Sequence, residues 1–503
     1  MNSLLTDRRV ALIKDQARYC QEPPYHPSEW YPEHSGVEVG CQDNPAYRAV
    51  RRALFELGLD SVNFGTAGWN PLGELIQPNQ TVVLKPNLVS HRNLGQRAFG
   101  LTDTDSLVTH GSVIRVVLDY AAKALNGHGR IIIADCPLQG TSWEEVTKLV
   151  NLDGISSYAR SAYPQLEVVT KDYRLGKAVM QGSDVLRRVE DKEQLKDYVE
   201  VDVADASLLV DLMGSPTAFG VAQYSSRRMV RAHSGNTHLY LFPKDLLFAD
   251  VMINLPKLKS HMKAGITCAL KNLVGINGLK DYLPHFRYGS PKQGGDEYPD
   301  GGTLWDLMWK LFHKDWEYDA GLRKRLFAVL GRAVGGARLL VGGSRLDTWL
   351  GGGSWHGNDT LWRTVLDINR AFFYFDRSTG AIGDCISPKL RYLNIVDGLV
   401  AGDREGPLAP SPVRAGLVLA ARNPLAADAV AAAMMGFDYK KIKTVWQGFH
   451  LPRLPIAAFG PEEVVICGHP SARDVQGIYS GGLYQRFEAS RGFKGQVEYA
   501  ADE

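Results

Sequence analysis

The chain lacks the cysteine pairs that iron–sulfur clusters and small zinc sites need. None of its six cysteines lies in a Cys-x-x-Cys motif. Such pairs hold ferredoxin-type clusters and structural zinc ions. We therefore expect no iron–sulfur cluster, and we interpret the cysteines as buried, unreactive thiols of a reducing compartment.

Long hydrophobic runs and an excess of charge of one sign are also missing. No run of eighteen apolar residues occurs, so no membrane-spanning helix is predicted. The net charge of the 503 residues is only +2, which gives no global field that would attract nucleic acid. The N-terminal segment is charged from Asp7 and has no apolar signal core. These features predict a cytoplasmic protein that does not bind nucleic acid.

Acidic residues are absent from one segment that is rich in cations. From Val251 to Asn277 an apolar run ends at Asn254, and five basic residues follow without any Asp or Glu. They are Lys257, Lys259, His261, Lys263 and Lys271. A buried cation needs a partner, which is either a bound anion or an internal carboxylate such as Asp103, Asp105 or Asp135. The three lysines and one histidine within Lys257–Lys263 exceed what one salt bridge needs, so the segment favours a bound anion.

Short β-branched runs alternate with helical patterns along most of the chain. The predicted strands are Arg9–Ile13, Thr81–Lys85, Arg130–Ala134, Glu167–Thr170, Ser207–Asp211, Asp250–Leu255, Tyr392–Val396, Ala415–Ala420 and Val464–Cys467. The predicted helices are Pro45–Leu57, Ser112–Leu125, Ser142–Leu149, Ala264–Leu273, Thr360–Phe373 and Pro424–Met435. Continuous apolar strands separated by helices are typical of an α/β fold, with a mostly parallel sheet covered by helices on both faces.

The region from residue 283 to 357 has a different pattern. A Gly/Pro-rich loop precedes two amphipathic helical patterns, and Trp305, Trp309, Phe312 and Trp316 recur at helical spacing in the first. We expect an insertion at 283–357 that covers a site or mediates association, between two parts of one α/β core, 1–282 and 358–503. The aromatic stripe predicts a packed helix face, with a ligand-binding box as the alternative. Contact of the basic amphipathic pair with a membrane surface is a separate hypothesis.

Several polar residues stand where predicted strands end or helices begin, which is where ligands bind in open α/β sheets. The expected substrate-binding residues are Lys85, Asn87, Lys259, Asn272, His110 and Asn358. The expected catalytic residues are His261, Lys257 and Lys271, with a neutral His261 acting as a base or metal ligand. The alternatives are helix capping for His110 and a loop packed by tryptophans for Asn358.

Three aspartates are candidate metal ligands. Asp135 ends one predicted strand, and Asp397 and Asp403 follow another. Carboxylates are the ligands that divalent cations prefer. They either bind such a cation, which is the candidate cofactor, or pair with the lysines.

Taken in order, these segments resemble the domain-of-unknown-function family 362. The strongest match is Ile253–Ile276, where the family pattern Asn-x-Pro-Lys-x-Lys-x-His precedes Ala-x-Lys-Asn-x-x-Gly. The other matching segments are Val10–Asp15, Val82–Val89, Thr102–Ile114, Ile131–Pro137, Ile395–Pro407 and Ala421–Gly436. Many relatives carry a ferredoxin-like module, whose cysteine pairs this chain lacks. The block Ser354–Thr360 is similar to a long-form subgroup associated with surface-polysaccharide gene clusters.

Our leading hypothesis is an enzyme that acts on a small anion, a carboxylate or a phosphorylated sugar, in a Lys/His-lined cleft at the carboxyl edge of the sheet. One alternative is a non-catalytic scaffold protein of a surface-polysaccharide pathway that docks through the insertion. Another is a metallocofactor-dependent isomerase, because the chain has a fainter similarity to the lactate racemase family, which binds a nickel-pincer cofactor between Lys and His residues.

Overall fold

The computed structural model describes residues 3–181, 184–214, 218–224, 226–300, 302–316, 321–340, 350–387 and 390–500. The strands in these ranges are β1 (Arg9–Lys14), β2 (Thr81–Pro86), β3 (Gly129–Asp135), β4 (Leu166–Asp172), β5 (Gly176–Gln181), β6 (Asp184–Glu190), β7 (Tyr198–Asp202), β8 (Phe219–Gly220), β9 (His233–Ser234), β10 (Thr237–Pro243), β11 (Val251–Leu255), β12 (Lys257–His261), β13 (Gly265–Thr267), β14 (Phe286–Arg287), β15 (Phe375–Asp376), β16 (Ala381–Ile382), β17 (Arg391–Glu405), β18 (Ala409–Ala421) and β19 (Val465–Cys467).

The α-helices in the same ranges are α1 (Ser3–Thr6), α2 (Pro45–Glu56), α3 (Gln96–Phe99), α4 (Gly111–Ala124), α5 (Trp143–Leu149), α6 (Leu152–Ala162), α7 (Ser226–Ala232), α8 (Lys244–Leu247), α9 (Ala269–Asn272), α10 (Thr303–Trp316), α11 (Leu322–Leu340), α12 (Leu361–Phe373), α13 (Pro424–Met434), α14 (Lys443–Phe449) and α15 (Val475–Ser480).

One large sheet organises the chain. Its strands follow the order β19–β1–β18–β17–β11–β2–β3–β4, and β12 pairs with both β17 and β13. Within this sheet β18 runs antiparallel to β1 and β17, and β13 runs antiparallel to β12. The remaining pairs are parallel. The carboxyl ends of β2, β3 and β11 therefore lie along one edge.

Helices cover both faces of this sheet. Val82 and Leu84 of β2 pack in a core that contains residues of α2 and α4. Val83, between them in sequence, packs in a second core with residues of α12. Successive side chains of a strand point to opposite faces, so each face buries every second apolar residue. The predicted α/β fold is confirmed.

Most predicted elements are confirmed to within a few residues, but two predictions are wrong. The helix expected over Ala264–Leu273 begins only at Ala269, because the preceding residues form the β12–β13 hairpin, with Gly265 at φ +80°. Alternating residues from Lys257 to His261 fit the two-residue period of a strand. The strand expected over Ser207–Asp211 is replaced by short 3₁₀ turns.

Helices α10 and α11 form a hairpin with its own aromatic core. Trp305, Trp309 and Trp316 are buried there with Tyr298 and Phe286. This confirms that the aromatic stripe is a packed helix face.

The division of the chain at residues 283 and 357 stays a prediction. Within the described ranges, every helix is too short or too polar to cross a membrane.

Candidate functional site

A cavity of about 530 Å³ lies at the carboxyl ends of β2 and β3. Lys85, near the end of β2, and Asp135, at the end of β3, line its wall. The loops that follow these two strands, the β12–α9 segment and the loop around His285 complete the wall. The cavity occupies the edge at which open α/β sheets bind ligands.

Cations outnumber carboxylates on this wall. The basic residues are Lys85, His91, Arg92, His261, Lys263, Lys271, Lys280 and His285. Asp135 is the one carboxylate among the lining residues, and it already forms an ion pair with Lys85 at 2.6 Å. Much of the remaining wall is apolar, including Val89, Leu138, Met180, Met262, Val274 and Leu408. A basic, partly apolar cavity of this kind attracts an anion.

Lys271 stands out among these cations. Its ammonium group has no hydrogen bond or ion pair within the described part of the chain, although the residue is partly buried. Burial, and then the charges of Lys280, Lys263 and Lys85, lower the pKa of Lys271 to about 7. An anion in the cavity would reverse part of this shift, because a nearby negative charge favours the ammonium form.

Two imidazole rings line the cavity with opposite hydrogen-bonding capacity. Nδ1 of His261 accepts the backbone N–H of Lys263 at 3.0 Å, so the proton of the neutral ring lies on Nε2. Nδ1 of His285 is 2.7 Å from the carbonyl oxygen of Leu283 and donates to it, which leaves Nε2 unprotonated. Burial and the nearby lysines hold the pKa of both rings well below the usual range. One ring therefore offers a donor and the other an acceptor.

A row of amide side chains supports the floor of the cavity. Lys85, Asn254 and Asn394 are aligned in register on three adjacent parallel strands. Nδ2 of Asn272, from α9, donates to Oδ1 of Asn254 at 2.7 Å, and its Oδ1 accepts from Nδ2 of Asn87 at 3.0 Å. Oδ1 of Asn272 also lies 3.3 Å from Nζ of Lys85. These bonds fix the positions of two wall residues, Lys85 and Asn87.

Gly275 allows the chain after α9 to approach the buried ion pair closely. A Cβ atom at this position would lie 2.4 Å from Oδ1 of Asp135 and 2.6 Å from Nζ of Lys85. Oδ2 of Asp135 accepts the backbone N–H of Leu88 at 2.7 Å. Burial lowers the pKa of Lys85 despite the carboxylate beside it.

Lys257, Asp397 and His110 lie in a different buried cluster and do not line the cavity. Nζ of Lys257 donates to Oδ2 of Asp397 at 3.0 Å and to Oη of Tyr19 at 2.6 Å. The ring of His110 stacks on Tyr19 with centroids 4.0 Å apart, and burial lowers the pKa of His110 to about 3. Nδ1 of His110 accepts the N–H of Ser112, as a helix cap does. Lys257 thus has an internal salt bridge.

Lys259 and Asn358 also do not line the cavity. Nζ of Lys259 donates to Oδ1 of Asn87 at 3.2 Å and to the carbonyl oxygen of Leu107, and burial holds its pKa well below the usual range. Nδ2 of Asn358 donates to the carbonyl oxygen of His285 at 2.8 Å. Both residues therefore position wall residues.

The three candidate metal ligands do not form one site. Asp135 pairs with Lys85 and Asp397 pairs with Lys257, while Oδ2 of Asp403 accepts the N–H of Glu488 at 3.2 Å. Across the described ranges, no group of three or more His, Cys, Asp or Glu side chains is arranged to hold a metal ion. Metal binding by these aspartates stays a prediction without geometric support.

Residues 216–433 match the family model described as "Domain of unknown function (DUF362)". The matched span contains the Lys/His segment (Val251–Asn277), His285 and Asp397. The resemblance expected from the sequence is confirmed over this span, whereas four of the resembling segments precede the matched residues. They are Val10–Asp15, Val82–Val89, Thr102–Ile114 and Ile131–Pro137. The strand ends that supply Lys85 and Asp135 thus lie outside the DUF362 match.

Among solved structures, a similar chain is a protein from Thermotoga maritima, with 11% sequence identity and a TM-score of 0.31. The alignment covers 79% of this chain and 59% of that one, so this chain spans less than two thirds of the length of its structural neighbour. No curated protein matches the chain.

Two basic wall residues within the matched span, Lys280 and His285, were not predicted from the sequence. His285 lies between Pro284 and Phe286, in an apolar run that opens a Gly/Pro-rich loop. The signal that could have indicated His285 is a histidine between apolar residues, a few positions after the cation-rich segment.

Proposed function

We propose that this protein is an enzyme that binds a small carboxylate or phosphate in the basic cavity and moves a proton on it. The observation that supports the proposal is the unpartnered Lys271, with a pKa of about 7, in a cavity lined by two neutral imidazoles of opposite hydrogen-bonding capacity. A lysine that titrates near neutral pH, in a cavity with neutral imidazoles, is typical of active sites.

Binding would rest on donors that have no partner among the residues that the structure describes. Lys271 supplies an ammonium group, and His261 supplies the N–H of Nε2. Oγ1 of Thr267 is buried and has no hydrogen-bond partner in the described residues, and Thr267 also lines the cavity. A buried polar atom left without a partner is costly, so an anion that accepts from these donors stabilises the site.

Proton transfer would use His285 as the base. Its Nε2 takes a proton from the substrate carbon next to the carboxylate, and the electron pair of the broken C–H bond moves into the adjacent carbonyl. The developing negative charge is stabilised by Lys271 and by His261. Return of the proton to the same carbon from His285 restores the starting state of the enzyme without any further reactant. The apolar part of the wall suits a short apolar substrate body.

Sulfate is a suitable probe of the binding step, because it does not titrate near neutral pH. We expect calorimetric titration to show sulfate binding, and replacement of Lys271 by Met to weaken it about tenfold or more, as loss of a charged hydrogen bond does. Lys192→Met, at an exposed position, is the matched control and should bind like the parent. Equal affinity of the parent and Lys271→Met would show that the cavity is not the anion site.

Hydrogen–deuterium exchange tests the chemical step. In D₂O, a panel of 2-hydroxy and 2-oxo carboxylates is followed by NMR for exchange of the hydrogen next to a carbonyl, which is on C2 of the hydroxy acids and on C3 of the oxo acids. We expect catalysed exchange with at least one member, which is lost in His285→Gln and retained in the control His450→Gln, whose exposed histidine directly follows α14. Sulfate binding without exchange for any member would remove the enzyme assignment and leave an anion-binding protein.

A further inference from the structure

Helix α11 exposes a continuous apolar stripe. Leu322, Leu326, Val329 and Leu330 recur at helical spacing and are 84%, 52%, 55% and 41% exposed. The opposite side of the helix packs on α10, because a Cβ atom at Gly331 would lie 2.8 Å from the ring of Phe312. A cluster of exposed large apolar side chains marks an interaction surface.

Positive charge borders this stripe on both sides. At 100° per residue, Arg325 and Arg332 lie along one border and Arg323 along the other, and all three are exposed. The sequence of α11 contains no Asp or Glu. The neighbouring helix α10 adds exposed Leu304, Leu307 and Lys310 to the hairpin. The surface therefore combines an apolar centre with basic edges.

We propose that α11 binds the surface of an anionic lipid bilayer and lies in the plane of the interface. Apolar side chains would enter the boundary between headgroups and acyl chains, and Arg323 and Arg325 would contact lipid phosphates, which is how basic amphipathic helices bind membranes. The charge pattern disfavours a second copy of the chain, since pairing α11 with itself brings arginines together with no carboxylate on either helix. This surface is independent of the cavity function.

Vesicle co-sedimentation of the full chain tests the proposal. We expect binding to vesicles of phosphatidylcholine with phosphatidylglycerol, and much weaker binding to phosphatidylcholine alone. Leu326→Glu/Leu330→Glu should reduce binding about tenfold or more for each leucine. Arg323→Gln/Arg325→Gln should reduce it about fivefold for each arginine. The control is Val62→Glu, which places the same new charge at a 93% exposed apolar position outside the hairpin.

Three results would overturn the proposal. The first is a parent protein that stays in the supernatant with the anionic vesicles. The second is binding of Leu326→Glu/Leu330→Glu that equals that of Val62→Glu. The third is a parent dimer in sedimentation that becomes monomeric in the leucine variant, which would assign the stripe to contact between copies. Circular dichroism checks that all variants keep their helical content.

Discussion

Burial turns Lys271 from an ordinary surface cation into a group that titrates near neutral pH. Its ammonium lacks a carboxylate partner in the described residues, and three other lysines oppose its charge. Lys85 illustrates the contrast, because Asp135 lies 2.6 Å from its ammonium group. Lys85 thus has a structural role in an ion pair, whereas Lys271 is available to a ligand.

Replacement of Lys271 by Met should change how stability depends on pH. The pKa of this lysine is depressed in the folded protein, so between about pH 7 and 10.5 the unfolded chain binds more protons, and the stability of the parent rises with pH. We expect Lys271→Met to exceed the parent in free energy of unfolding at pH 6, by a margin that shrinks by pH 9. Urea unfolding at both pH values measures this. A margin that does not depend on pH would contradict the depressed pKa.

Gly275 should tolerate no larger side chain. Its Cβ would collide with both members of the Lys85–Asp135 pair, each of which is fixed by further hydrogen bonds. We expect Gly275→Ala to lower the free energy of unfolding by about 1–3 kcal/mol, as overpacking of a core does. Gly36→Ala is the control, because no atom lies within 4 Å of its added Cβ. Equal stability of the two variants would mean that the backbone at Gly275 yields easily.

At the scale of elements, the pairing of β12 with β17 determines what each residue of the Lys/His segment does. Lys257, Lys259 and His261 share one side of β12 at steps of about 6.6 Å, so the row runs from one buried cluster to the cavity. The register places Lys257 opposite Asp397. The motif could be recognised from the sequence, but the register could not, because β17 is more than a hundred residues away in the chain. Lys257 was therefore expected at the site, although it lies outside the wall.

Lys257→Met should act on stability and leave anion binding intact. It leaves Asp397 buried without its cation, and we expect a loss of about 3–5 kcal/mol in the free energy of unfolding. Lys257→Met/Asp397→Asn should recover part of this loss, because no unpaired charge remains. Denaturant unfolding measures both values, and sulfate titration checks the cavity. A Lys257→Met protein of parental stability that no longer bound sulfate would return Lys257 to the active site.

At the scale of the whole molecule, the sheet brings distant segments of the chain to one edge. The strand ends at Lys85 and Asp135 and the segment around Lys271 could be predicted to meet there, because parallel strands share a carboxyl edge. The positions of Lys280 and His285 on the wall could not be predicted. Both residues come after the predicted strands in the chain and reach the wall through the packing of a loop. Two of the three aspartates expected as metal ligands lie apart because each of them pairs with a lysine.

The central claim is that the cavity binds an anion through a lysine that is largely neutral before binding. Calorimetric titration with sulfate at pH 7.5, in buffers of different ionisation enthalpy, counts the protons taken up on binding. With a pKa of about 7, Lys271 should take up about 0.5–0.8 proton at this pH as sulfate restores its charge, and Lys271→Met should take up far less. Proton release, or equal uptake by the parent and the variant, would contradict the account.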